Sequence, residues 1–112
     1  MPFNFAQLLQ KSRQYQLENL EQQSDDYIKT TAQKTLNELQ RDSKNNNMNK
    51  SYTIYGGVNT TPNNVYLAEF MDNNCDNIRD KLSAEMTKLG LEDFKIEKLN
   101  GWKCWLEVHP DE

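Results

Sequence analysis

The sequence predicts an α+β fold: a long N-terminal helical segment followed by a β-α-β-β module with a small sheet. Three observations carry this reading. Residues 4–43 contain neither Gly nor Pro and are rich in Gln, Glu, Lys, Leu and Ala, all good helix formers. The run Ser51-Tyr52-Thr53-Ile54-Tyr55 is β-branched and aromatic and stops at Gly56-Gly57, as a short strand does. Residues 92–108 alternate apolar and polar side chains around Asn100-Gly101, the pattern of a hairpin.

In the first segment (residues 1–44), Asn4 suits the cap of a helix starting after Pro2 and Phe3. Apolar or small residues recur at Phe5, Leu8, Leu9, Ser12, Leu17, Leu20, Ser24, Tyr27, Ile28, Thr31, Ala32, Thr35, Leu36 and Leu39. Steps of three and four place them on one helical face, but Ser, Thr and Ala make the stripe thin. At about 1.5 Å per residue the segment would span roughly 60 Å, so a break at Ser24-Asp25-Asp26 is an open alternative to one projecting helix.

The polar stretch 43–50, with four Asn in five positions, favours turns and has nothing to bury. It marks the boundary with the second segment, 51–112. After the strand, Thr61 and Pro62 suit the N-cap and first position of a helix reaching Leu89. Leu67, Phe70, Met71, Cys75, Ile78, Leu82, Met86 and Leu89 form its apolar face, and Gly90 suits the left-handed C-cap with Leu91 packing back.

In the hairpin, a two-residue loop would leave Leu106 opposite Lys95. A three-residue loop, Leu99-Asn100-Gly101, instead pairs Phe94 with Leu106, Ile96 with Cys104 and Lys98 with Trp102, and sets Glu97 against Lys103. Gly in the third position fits a turn with a G1 bulge. One face is then Phe94, Ile96, Trp102, Cys104, Leu106 and Val108, and the other Lys95, Glu97, Lys103, Trp105 and Glu107. The passage from 51 to 98 permits a right-handed parallel crossover.

Composition narrows the function classes. Leu, Ile, Val and Phe supply 23 of 112 residues, which makes the core thin but not absent. No run approaches the roughly 18 apolar residues of a membrane span, and no signal segment opens the chain. Two cysteines fall short of the framework of a secreted small domain, so both are expected as free, buried thiols in a reducing cytoplasm. The net charge of -4 argues against phosphate tracking and nucleic-acid binding. Richness in Asn, Lys and Tyr is compatible with an A+T-rich genome, such as that of a virus or phage.

No motif of catalysis emerges. His109, the sole histidine, is the fourth residue from the end and has no partners in sequence. Gly56-Gly57 lacks the third Gly and the Lys-Ser/Thr of a phosphate loop. Asp72, Asp76 and Asp80 share one helical ridge, read here as solvated, with phosphate mimicry as the alternative. No cofactor or metal is expected.

What stands out is Trp105, on the outward face between Lys95 and Lys103. It is expected to lie under the N-terminal helix, or to anchor a protein interface. The expectation is therefore a non-enzymatic protein that binds another protein, a homodimer being favoured, through Trp105, Lys95, Lys103, Leu17, Leu20 and Ile28. The alternative is a nucleic-acid-related role, by weak binding on the Trp105 face or by acidic mimicry.

Overall fold

The Asn4 side chain accepts hydrogen bonds from the backbone N–H groups of Ala6 and Gln7 and starts α1 (Phe5–Lys44), which runs 40 residues unbroken. In the computed structural model, which describes residues 2–57, 59–99, 101 and 103–111, this helix is the longest feature, and the molecule extends 67 Å along its main axis. Of the two readings left open by the sequence, the projecting helix is the one adopted. Ser24 caps nothing: it is buried within α1, and its neighbour Asp25 accepts a 2.7 Å ion-pair hydrogen bond from Lys81.

β1 (Tyr52–Tyr55), β2 (Phe94–Lys98) and β3 (Leu106–Pro110) form one sheet in the order β1-β3-β2, with both pairings antiparallel. β1 and β2 thus run the same way but are separated by β3, so the crossover between them joins strands that do not touch. Alternation puts Tyr52, Ile54, Ile96, Leu106 and Val108 on the buried face. They meet Ile28 and Ala32 of α1 together with Leu67, Met71, Ile78, Leu82 and Met86 in a single core. All helices cover that one face; Thr53, Lys95, Glu97, Glu107 and His109 alternate onto the other.

Three expectations are corrected. The expected helix over 62–89 is two helices, α2 (Val65–Asn73) and α3 (Cys75–Lys88), broken at Asn74. Asn competes with the helical backbone for hydrogen bonds. Here the Asn74 amide donates to the Phe70 carbonyl at 2.7 Å while its own backbone leaves the helical region, φ -118 and ψ 33. The start also moves, from Thr61 to Asn64, whose side chain accepts from the N–H groups of Tyr66 and Leu67. The apolar face survives the break, since Leu67, Met71, Cys75, Ile78, Leu82 and Met86 are all buried. The end is as expected: Gly90 takes φ +99, with Gly90 N–H bonded to Thr87 and Leu91 N–H to Met86, a Schellman motif.

The hairpin register differs by four residues. Phe94 pairs with Pro110, Ile96 with Val108 and Lys98 with Leu106, leaving a connection over 99–105 in place of a three-residue loop. A shift of four is even, so the residues that remain in β2 and β3 keep their faces. The cause is the third correction: Cys104 is joined to Cys75 by a disulfide, with Cα atoms 5.5 Å apart. That bond draws Cys104 out of the strand to the first turn of α3, and Leu99 N–H closes the connection on the Trp105 carbonyl at 2.9 Å. The expected turn residue Asn100 and the expected pairing of Trp102 lie outside the described residues.

Candidate functional site

Ile28 cannot present itself to a partner: it is 2% exposed in the core. Leu20 is partly buried against the same core, while Leu17 is half exposed. Lys95 does not stand beside Trp105 as expected. The register puts Lys95 opposite His109, at the other end of β3 from Trp105. Nor does α1 lie over the sheet face that carries Trp105, because α1 packs with the other helices on the opposite face.

Trp105 is 40% exposed and its indole N–H donates to Glu107 at 3.3 Å. Glu107 also accepts from the Thr53 hydroxyl, which relieves its placement opposite Glu97; Glu97 in turn meets His109 Nε2 at 3.1 Å. Behind Trp105, an open groove of about 1350 Å³ runs between α1 and the free edge of β1, with Lys29, Lys34 and Arg41 on its helical wall.

The acidic ridge is partly engaged within the molecule. Asp72 accepts from the Tyr55 hydroxyl at 2.9 Å. Burial, reinforced by that carboxylate, pushes the Tyr55 phenol far above its usual range. Asp76 faces Arg79 and Lys98, and Asp80 faces Arg79. Asp72 stands on α2 and Asp76 and Asp80 on α3, so the three do not form one continuous helical ridge.

The surface left unaccounted for is the N-terminal half of α1. From Phe5 to Asn19 every residue is exposed, and the burial of α1 begins only near Leu20. The sequence reading takes all its apolar residues as one stripe, and the structure separates two. The positions buried in the core, Ser24, Ile28, Ala32, Thr35 and Asp42, cluster on one side. Phe5, Leu8, Leu9, Ser12 and Tyr15 centre roughly 150° away at 100° per residue. The five-residue step from Ser12 to Leu17 is where the phase changes, and it was readable in the sequence. This second stripe holds Phe5 at 82% and Tyr15 at 68% exposure, with Leu8 and Leu9 between them.

An isolated helix of about 15 residues is marginal in water, so the arm gains little from standing alone. Its charge is divided: residues 5–17 hold Lys11 and Arg13 and no acid, whereas 18–28 hold Glu18, Glu21, Asp25 and Asp26 and no base.

No helix among the described residues is long and apolar enough to cross a membrane. With both sulfurs paired, the cysteines give no argument for a reducing compartment. Comparison with protein-family models, with characterised proteins and with solved structures returns no match.

Proposed function

We propose that this is a non-enzymatic protein that works by associating with another protein, and that the contact surface is the N-terminal half of α1. The observation that carries this reading is the exposed stripe of Phe5, Leu8, Leu9 and Tyr15, set apart from the face of α1 that serves the protein's own core. Exposed apolar side chains gathered on one face of a projecting helix suit helix-against-helix or helix-in-groove recognition. Substituting Leu8→Gln and Leu9→Gln together tests it, because Gln keeps helix propensity while removing the apolar surface. The native chain is expected to associate, with itself or with a protein resistant to nuclease treatment, and the double variant to lose that association. Equal association of both forms would overturn the reading.

A second reading is favoured by the groove, which Lys29, Lys34 and Arg41 line together with Trp105 and a single acid, Glu38. It is a weak nucleic-acid contact made by phosphate pairing and base stacking. Binding of a fluorescent single strand that weakens with salt and is lost on Trp105→Ala would support it; salt-independent or absent binding would not.

A further inference from the structure

Resting on the association reading above, we infer that the arm takes a second copy of this chain, with the two α1 arms packed antiparallel across the face of Phe5, Leu8, Leu9, Ser12 and Tyr15. The charge division of the arm sets the direction. Lys11, Arg13 and Glu21 have no ion-pair partner among the described residues, and Glu18 has only a 3.5 Å contact from Gln14. Lys11 and Glu18 are seven residues apart, so they lie on the same flank of the stripe, two turns and about 10 Å apart along the axis. That distance is too great for them to pair with each other.

An antiparallel pair related by a two-fold axis brings like flanks together. With the axis beside residues 14 and 15, Lys11 stands level with the partner's Glu18 and Glu18 level with the partner's Lys11. The same axis sets Tyr15 beside its own copy and Leu9 level with the partner's Leu20. Phe5 then lies level along the axis with the partner's Ser24, the point where α1 enters the folded body. The overlap therefore covers the unsupported length of both arms and ends where the body begins. A parallel pair would align the basic half of one arm with the basic half of the other, and the acidic halves likewise.

Charge reversal on the full-length chain tests this, read by sedimentation equilibrium at low salt. The native protein is expected to dimerise and Lys11→Glu to weaken the dimer roughly tenfold, since two modest attractions become repulsions. Adding Glu18→Lys is expected to restore the native affinity to within a few-fold. That rescue is specific to antiparallel pairing, because the two residues cannot meet within one helix. Both positions of the test are exposed, so the fold is retained, and unchanged thermal melting checks it. A native chain that stays monomeric, or a double variant no tighter than Lys11→Glu alone, overturns the inference. A monomer that still loses capture of some other protein on Leu8→Gln and Leu9→Gln overturns self-pairing while leaving the association reading standing; if no association of any kind responds to those substitutions, both fall.

Discussion

The Tyr52 hydroxyl donates a 2.7 Å hydrogen bond to the Asp42 carboxylate, tying the last turns of α1 to the first residue of β1 across the Asn-rich connection. The same oxygen accepts from Asn49 N–H at 3.1 Å, which fixes the path of the connection itself. That phenol, aided by Arg41, holds the Asp42 carboxyl below its ordinary range. A carboxyl lowered in the folded state stabilises the fold above its unfolded pKa, and the contribution is lost as pH falls through the lowered folded value. Tyr52→Phe should therefore melt earlier than the native chain at neutral pH. The gap should close in acid, below about pH 4. Melting curves from pH 7 to pH 2 check this; a gap of constant size would mean that the carboxylate is not what the phenol holds.

The disulfide makes a second prediction. Cys75 and Cys104 are 29 residues apart in sequence, and closing a loop of that size restricts the unfolded chain by about 3.6 kcal/mol. The native protein should show no free thiol under denaturing, non-reducing conditions. The double variant Cys75→Ala and Cys104→Ala should melt well below it. Two reactive thiols in the freshly purified chain would return Cys104 to the strand register that the hairpin pattern favours.

Gly56 and Gly90 should differ in tolerance although both take positive φ, +95 and +99. At Gly90 a methyl group meets nothing within 4 Å, so Gly90→Ala costs only the left-handed backbone strain, about 1 kcal/mol. At Gly56 the same methyl would run into the Cys104 carbonyl oxygen and stand 2.9 Å from Trp105 Cα. Both obstacles are backbone, so Gly56→Ala should be far more damaging than Gly90→Ala. Comparable melting temperatures for the two variants would show that the turn after β1 has room to move.

What the sequence made legible depended on how local the cause was. The Gly90 cap, the Asn4 cap and the inward faces of β2 and β3 follow from neighbours a few residues away, and the structure has all three. The hairpin register and the disulfide share one long-range cause, the approach of Cys104 to Cys75, which no alternation pattern contains. The break at Asn74 was partly legible, since Asp72-Asn73-Asn74 is a poor helical run, but the continuous apolar face from Leu67 to Met86 masked it. In the candidate site, spacing by threes and fours joins Leu17 and Leu20 to one stripe with Phe5 and Leu8, although the five-residue step after Ser12 already rotates the face. Nothing in the sequence separates Ile28 from a partner-facing position, because a thin stripe does not say which of its parts the protein's own sheet will claim.

Truncation separates the two halves of α1. The half that ends at Asp42 supplies Ser24, Ile28, Ala32 and Thr35 to the core and pairs Asp25 with Lys81; the arm before residue 20 supplies none of these. Removing residues 2–18 should therefore leave the melting temperature within a few degrees of native and the quenching of tryptophan emission unchanged, because the arm lies away from Trp105. Removing residues 2–43 strips Ile28 and Ala32 off the sheet and its helices and exposes Ile54, Tyr55 and Met86, which now have next to no solvent contact. A buried aliphatic side chain lost from a core costs about 2–5 kcal/mol, so two or more together exceed much of what a domain this small can hold in reserve. The longer truncation should be unfolded or aggregated. If it instead melts cooperatively near the native temperature, the β-α-α-β-β part carries its own core and α1 is attached to it without being needed by it.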